Sequence, residues 1–161
     1  MIVVSNTSPL TNLAAIRQFD LLRKLYGEIQ IAVGVWDELG AYGRRWPGRD
    51  EVANAEWIRQ VAVHDQHLVT VLLRDLDRGE SETLALAVEV GAELVLLDEQ
   101  DGRLVAQRLG LRTVGVLGVL LEAKKCNLLD SIHPLLDALR QEAGFYVSDE
   151  VYRSVLKLAE E

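Results

Sequence analysis

Short apolar runs alternate with longer segments of helical periodicity along this chain, and that alternation limits the possible folds more than any other feature. Four runs have the length and composition of buried strands, at residues 2–5, 29–33, 93–97 and 112–116. Residues 57–63 alternate between apolar and polar side chains, as an edge strand does. Strands separated by helices are joined by right-handed crossovers, which build a mostly parallel sheet covered on both faces. The sequence therefore predicts an α/β fold.

Helical segments are predicted between and after these strands. They cover residues 9–16, 21–26, 35–42, 51–55, 68–76, 80–90, 100–109, 117–125, 131–142 and 148–158. Ser8 is interpreted as the N-cap of the first helix with Pro9 at its first position, and Ser148 as the N-cap of the last. The segment 43–50 has the composition of a loop, because it contains two glycines and a proline.

The chain has 161 residues and a hydrophobic content of 49%, which suffice for one domain with a sizeable core. We expect a single domain over residues 1–161, whose last helix, at about residues 148–159, packs either on its own domain or on a partner. The single cysteine, Cys126, excludes an intramolecular disulfide and a multi-cysteine zinc site. This composition, with no signal-peptide pattern and no long apolar run, predicts a cytoplasmic protein without a membrane partner.

The net charge of −8 argues against non-specific binding of nucleic acid, because such binding depends on the neutralisation of phosphates by basic side chains. The charge does not exclude a nuclease. Carboxylates that hold divalent cations add negative charge to the protein and still make the loaded site attractive to phosphate. An acidic and soluble surface explains most of the charge equally well.

Acidic and amide side chains follow the predicted strands or begin the helices beside them. Asn6 follows the first strand, Glu38 lies one turn into the helix after the second, and Glu80 begins the helix before the third buried strand. Asp98 ends that third strand, and Asp101 follows it by about one helical turn on the same side. Sites in parallel sheets form at the carboxyl ends of the strands, so we expect these side chains to gather at one edge. Oxygen ligands of this kind suit Mg²⁺ or Mn²⁺.

Two glutamates compete for this edge on the helix after Gly79. At about 100° per residue, Glu80 shares a face with Leu84, whereas Glu82 shares its face with Glu89. This pattern turns Glu80 inward and Glu82 toward water. We therefore assign Glu80 to the site and keep Glu82 as the reserve candidate.

Each of these acids also has a purely structural interpretation. A glutamate at a helix start commonly complements the helix macrodipole, and an aspartate after a strand is often a turn former or an N-cap. The functional interpretation depends on the convergence of several acids at one edge. Other polar and aromatic features favour structural roles: His64 and His67 are interpreted as surface residues, and the three tryptophans as packing residues.

Several motifs occur here in one order. Residues 3–10 are Val-Val-Ser-Asn-Thr-Ser-Pro-Leu, and Glu38 follows an Ile-Ala-Val strand. Glu80 opens a helix rich in small apolar residues, and Asp98 and Asp101 close the series three residues apart. In this order and spacing the motifs resemble those of the PIN (PilT N-terminus) domain family, and the resemblance covers essentially the whole chain.

The resemblance is closest to an uncharacterised PilT-like branch related to VapC-type toxins, which shares the Gly-Val-Leu-Gly-Val-Leu stretch at residues 115–120. It implies a three-layer α/β/α PIN-like fold and cleavage of RNA that depends on Mg²⁺ or Mn²⁺. Many members of the family are toxins that a cognate antitoxin holds in check, and dimers are common. The resemblance therefore also implies an antitoxin partner and a homodimer.

The implied mechanism gives each candidate residue a role. Glu80, Asp98 and Asp101 hold one or two divalent cations together with Asn6, and Glu38 helps directly or through water. A cation-activated water attacks the scissile phosphate in line, and the cations offset the charge of the transition state.

Two further roles are assigned around this site. Ser8, as N-cap, orients the loop that carries Asn6. A basic cluster in the loop is a candidate RNA contact through phosphate pairing and stacking, although a solvated loop is the commoner role for so few charges. Its members are Arg44, Arg45, Arg49 and Trp46.

Asn6 departs from the family pattern, which has an aspartate at this position. An amide oxygen can ligate Mg²⁺, but it carries no charge and cannot act as a base. Two hypotheses follow: a metal-dependent endoribonuclease that acts as a toxin component, or a catalytically weak or inactive PIN-like module that binds nucleic acid or a protein partner. A flavodoxin- or receiver-like module is disfavoured, because a receiver needs an acidic pair after its first strand.

Overall fold

A computed structural model describes residues 1–40 and 47–161 of the chain. The strands are β1 (Val3–Ser5), β2 (Ile29–Ala32), β3 (Ile58–Val61), β4 (Leu94–Leu96) and β5 (Thr113–Val114). The helices are α1 (Thr7–Ala15), α2 (Asp20–Tyr26), α3 (Val33–Leu39), α4 (Arg49–Asn54), α5 (Gln66–Leu72), α6 (Arg78–Val90), α7 (Gln100–Arg108), α8 (Val116–Lys125), α9 (His133–Gln141) and α10 (Asp149–Leu158).

Within the described ranges, five strands form one sheet in the order β3-β2-β1-β4-β5, and every neighbouring pair is parallel. The predicted α/β fold and the edge position of β3 are confirmed. β1 lies at the centre of the sheet between β2 and β4. Because parallel strands end at the same edge, the residues that follow β1, β2 and β4 become neighbours.

The sheet separates two apolar clusters, since alternate residues of each strand face opposite sides. Val3 and Leu96 belong to one cluster, which α1, α2, α8, α9 and α10 cover. Val4 and Val95 belong to the other, which α5, α6 and α7 cover. The predicted three-layer α/β/α arrangement is therefore confirmed.

The start of α1 differs from its prediction. The helix begins at Thr7, with Asn6 in the N-cap position and Pro9 as its third residue, so the assignment of Ser8 as N-cap is wrong. A proline is tolerated here because the first N–H groups of a helix have no partner within it. The N-cap assignment at α10 is correct, since Ser148 Oγ accepts a hydrogen bond from the Val151 N–H at 3.1 Å.

Helix α10 packs on its own chain. Val155 and Ala159 are buried in the cluster that includes α8, and Lys124 Nζ donates to the Ala159 carbonyl oxygen at 2.5 Å. Over the parts of the chain that the structure describes, no helix combines the length and the apolar character needed to cross a membrane.

The predicted surface and packing residues fall largely as expected. His64 exposes 89% of its side chain, and Trp57 packs in the core with its ring centroid 5.2 Å from that of Phe19. The Arg49 guanidinium carbon lies 5.0 Å from the centroid of the Trp36 ring, where the two groups form a cation–π contact. The other members of the basic cluster lie outside the described residues: Arg44, Arg45 and Trp46.

Candidate metal-binding active site

Asn6 lies directly after β1 and is 3% exposed. Its backbone N–H donates to the Leu96 carbonyl oxygen at 2.9 Å, which extends the pairing of β1 with β4 to the edge of the sheet. Its Nδ2 donates to Oε2 of Glu99 at 3.3 Å, and its Oδ1 accepts from Thr83 Oγ1 at 3.4 Å. The amide therefore connects the segments that follow β1 and β4 with helix α6.

Glu38 reaches this edge from α3. Its Oε1 accepts a hydrogen bond from the Gly79 N–H at 3.1 Å, and its Oε2 accepts one from Thr7 Oγ1. A Cβ at position 79 would overlap that carboxylate, so the close approach requires glycine. Burial raises the pKa of Glu38 above its ordinary value, although the hydrogen bond from Thr7 acts in the opposite direction.

Glu82 is buried, which corrects the prediction that it faces water. Its Oε1 accepts from the Gly34 N–H at 3.1 Å, and Arg78 Nε donates to its Oε2 at 2.6 Å. A helical wheel with one buried face does not describe α6, because the sheet covers this helix on one side and α3 covers it on another. Glu82 therefore serves to hold these helices together.

The contacts of Glu38 and Glu82 form a reciprocal pair. Glu38 of α3 binds a free N–H in the first turn of α6, and Glu82 of α6 binds a free N–H in the first turn of α3. Each carboxylate thus satisfies a backbone donor that its partner helix leaves unpaired and lies at the positive end of that helix. We refer to this arrangement as the reciprocal caps.

Glu80 is in the first turn of α6, where Asp77 is the N-cap and accepts from the Glu80 N–H at 2.8 Å. Its own side chain extends toward α7, since a Cβ on Gly102 would lie 2.9 Å from Oε2 of Glu80. Burial raises the pKa of Glu80 to about 8, with further contributions from Asp77, Glu99 and Glu38. The prediction that Glu80 points inward is correct.

Glu80 also lines an acidic cavity of about 310 Å³. Asp101 is exposed at the rim of this cavity, in the first turn of α7. Three more carboxylates line the same space: Asp75, Asp77 and Glu99. The structure therefore brings Asp101 and Glu80 to one opening, as the sequence predicted.

Asp98 follows β4 and faces the start of α8. Its Oδ1 accepts from the Val116 N–H at 3.0 Å, and its Oδ2 is buried with no hydrogen-bond partner among the described residues. Burial raises the pKa of Asp98 to about 6, against the effects of the Val116 N–H and of Arg103. A buried carboxylate oxygen without a partner is costly unless another ligand completes it.

Glu99 is a residue of the candidate site that the sequence did not predict. It binds Asn6, and after burial its charge contributes to the raised pKa values of Glu38, Glu80 and Asp98. Glu99 therefore joins the acids of the cavity to Asp98. The sheet-edge rule that selected Asp98 applies equally to the residue beside it, but the sequence motif places its acids at positions 98 and 101.

The donor set fits a hard divalent cation that retains part of its water shell. Among the described residues, no three Asp, Glu, His or Cys side chains form a ready-made ligand group. The Oδ2 of Asp98 nevertheless has no partner in the described part of the chain, and burial, with a smaller contribution from neighbouring carboxylates, raises the pKa values of Glu80 and Asp98, so a cation would stabilise the charged form of both groups. Mg²⁺ typically binds through one or two carboxylates, several waters and substrate phosphates, which matches this geometry.

A parallel sheet whose carboxyl edge gathers carboxylates around a small cavity defines a class of α/β domain suited to divalent cations and phosphates. A sequence model of the family described as a PIN domain matches residues 2–161, and the chain belongs to the PIN domain family. The family has a nuclease-type fold, and its members generally use divalent metal ions. A comparison with curated proteins finds no match.

Proposed function

We propose that this protein is a metal-dependent endoribonuclease of the PIN type. The observation that carries the proposal is the group of carboxylates at the edge of the sheet. Asp98, after β4, has a buried Oδ2 without a partner among the described residues, and Glu80, in the first turn of α6, has a raised pKa to which the charge of Glu99 contributes. Buried carboxylates at such an edge destabilise the fold unless a cation offsets them. Selection for function explains their presence better than selection for stability.

The residues of the site have separate tasks in this proposal. Glu80, Asp98, Asp101 and the Oδ1 of Asn6 hold Mg²⁺ or Mn²⁺. When bound, the cation supplies activation of a water and stabilisation of the negative charge that develops on the scissile phosphate. Glu38, fixed by two hydrogen bonds, positions water at the site from its place on α3.

The finer features of the proposal are taken by analogy with toxins of the PIN family. The substrate is RNA, and the protein acts in the cytoplasm as one domain over residues 1–161. It is the toxin component of a toxin–antitoxin pair, it binds a cognate antitoxin, and it forms a homodimer. These features extend beyond the nuclease-type fold that the family match indicates.

A second candidate function has one observation in its favour. The amide of Asn6 is satisfied at both ends, by Glu99 and by Thr83, so the position is stable without a cation. A catalytically weak or inactive PIN-like module that binds nucleic acid or a protein partner would keep this arrangement. This alternative predicts RNA or protein binding without cleavage.

The decisive experiment compares RNA cleavage with cation binding. Purified protein should cleave single-stranded RNA in Mg²⁺ or Mn²⁺, and Asp98→Asn should abolish cleavage. Mn²⁺ should also raise the melting temperature of the wild type, since a ligand at about 100 times its Kd stabilises by about 2.7 kcal/mol. Glu80→Gln should reduce this shift, and Glu142→Gln, at an exposed position, should preserve it.

Two results would separate the candidate functions. If neither the wild type nor Asn6→Asp cleaves RNA in Mg²⁺ or Mn²⁺, the nuclease proposal fails. If only Asn6→Asp cleaves RNA, the natural chain is the weak module, and a carboxylate at position 6 is enough to restore its activity.

A further inference from the structure

A groove of about 400 Å³ is lined in part by Asp98, and it shares no described lining residue with the acidic cavity. Arg103 and Gly115 line it next to Asp98, and Phe145 and Tyr146 line it from the segment between α9 and α10. The wall of the groove therefore combines a residue of the proposed active site with two aromatic side chains.

Tyr146 exposes 86% of its surface, the highest value among the large hydrophobic residues of the described chain that are exposed. The backbone on both sides of it is held in place. The Phe145 N–H donates to the Leu139 carbonyl oxygen at 2.9 Å, and Arg140 donates to the Val147 carbonyl oxygen at 2.7 Å. The ring is thus presented to solvent from a fixed backbone, which reduces the entropy that binding a ligand would cost.

Arg103 supplies a positive charge at the wall of the groove. Its Nε donates to the Leu97 carbonyl oxygen at 2.9 Å, and its side chain is 43% exposed. A guanidinium nitrogen lies 3.9 Å from Oδ1 of Asp98. A Cβ at position 115 would overlap both the guanidinium and the Asp98 carboxylate, so Gly115 permits this close packing.

We propose that this groove binds one nucleotide of single-stranded RNA beside the scissile phosphate, with its base stacked on Tyr146 and a phosphate paired with Arg103. The inference rests on the proposed nuclease function and adds a substrate-binding position to it. Aromatic rings accept any base by stacking, and guanidinium groups pair with phosphate oxygens. The groove supplies both groups and is continuous with Asp98.

The overall charge of the protein favours such a position. At a net charge of −8, neutralisation of phosphates by a broad basic surface is not the main source of affinity for RNA. Stacking does not depend on charge and contributes about 1–3 kcal/mol per base. An exposed tyrosine on a fixed backbone, next to the proposed active site, would therefore let an acidic nuclease hold its RNA substrate by stacking.

The test measures binding without cleavage. A fluorescein-labelled single-stranded oligoribonucleotide is titrated with the full chain in EDTA at low salt, and fluorescence anisotropy reports the Kd. We expect Tyr146→Ala to weaken binding by about tenfold, and Tyr146→Phe to retain it because the ring remains. Val71→Ala is the control, since Val71 is 67% exposed on α5, beneath the opposite face of the sheet.

The phosphate contact has its own readout. Arg103→Gln should lower the slope of log Kd against log salt by about 0.7, the value for one phosphate contact on a single strand. An unchanged slope would remove Arg103 from the proposal.

Three results would overturn the inference about Tyr146. They are an unmeasurable affinity of the wild type for the oligoribonucleotide, an affinity that Tyr146→Ala leaves unchanged, and a change in oligomeric state by light scattering without a change in affinity. The last result would assign Tyr146 to a protein interface. Because binding is measured in EDTA, weaker RNA binding by Tyr146→Ala supports the groove even if the protein cleaves no RNA. Cleavage that does not change on substitution of Tyr146 supports the nuclease proposal and not the groove.

Discussion

The Nδ2 of Asn6 donates to Oε2 of Glu99 at 3.3 Å, so a neutral amide faces a carboxylate where the family pattern has an acid. An aspartate at position 6 would set a second negative charge against Glu99 in a buried environment, and like charges there disfavour one another. Asn6 and Glu99 are therefore a matched pair. The negative charge absent at position 6 is present one strand away, at position 99.

This pairing predicts a specific pattern of stability. In EDTA at neutral pH, Asn6→Asp should lower the free energy of unfolding by about 1–3 kcal/mol, because it creates a buried charge without a partner. Glu99→Gln in the same chain should recover most of that loss. Urea unfolding of the wild type, both single variants and the double variant gives the coupling energy, expected at about 0.5–3 kcal/mol. Additivity of the two single effects would contradict the pairing.

Gly79→Ala should impair cleavage with little loss of stability. Alanine favours a helix over glycine by about 1 kcal/mol, which offsets part of the crowding. The new Cβ would displace the Glu38 carboxylate, and a misplacement of about 1 Å can reduce the rate of an enzyme about 100-fold. Cleavage assays and urea unfolding should be run together, with Glu38→Gln as the matched comparison. Wild-type cleavage by Gly79→Ala would show that the position of Glu38 is unimportant.

Glu82→Ala should destabilise the protein more than Glu82→Gln. The alanine variant leaves the Gly34 N–H without its acceptor and Arg78 with Asp37 as its remaining partner, at a cost of about 1–3 kcal/mol. The glutamine variant keeps an oxygen for Gly34 and loses only the charge. Chemical denaturation gives both values, and equal losses in the two variants would mean that the hydrogen bond to Gly34 contributes nothing.

Glu161 should make the protein sensitive to acid. Its carboxylate accepts from the Ile132 and His133 N–H groups at 2.8 and 3.1 Å and lies 2.9 Å from Lys124 Nζ. Although partial burial acts in the opposite direction, these hydrogen bonds lower the pKa of Glu161 to about 2. A depressed folded-state pKa stabilises the protein above the unfolded value of about 4.3, and this contribution disappears as the pH falls from about 4 to 2.

The measurement for Glu161 is acid unfolding of Glu161→Gln beside the wild type. The variant should be less stable at pH 6, and the difference should close as the pH approaches 2. Glu160→Gln is the adjacent control, because Glu160 is exposed, and it should follow the wild type throughout. A difference between Glu161→Gln and the wild type that is constant with pH would exclude the titration of Glu161 as its cause.

The sequence predicted the sheet, because strand and helix patterns are local, and the same patterns define the candidate site. Apolar runs of strand length, separated by helical periodicity, predict a parallel sheet, and the carboxyl-edge rule then selects Asn6, Glu38, Glu80, Asp98 and Asp101. The strand bounds are shorter in the structure by up to two residues at an end, as at β5. Such ends depend on which hydrogen bonds the neighbouring strand can make.

The features that the sequence did not predict depend on contacts between elements distant along the chain. The burial of Glu82 depends on α3 lying over α6, which no single-helix wheel contains. Glu99 was missed because its role follows from its contact with Asn6, at a separation of 93 positions. The N-cap of α1 was misassigned because the side chain of Asn6 bonds to Glu99 and not to the first turn of the helix.

The reciprocal caps have a consequence for the design of chimaeras of this protein. Each helix supplies the carboxylate that caps the first turn of the other, so α3 and α6 can be exchanged between proteins only as a pair. A chimaera that inherits α3 from one relative and α6 from another keeps its termini satisfied only if both glycines and both glutamates arrive together. Recombination between the two helices is therefore expected to be tolerated least at the junctions that separate Gly34 from Glu82 and Glu38 from Gly79.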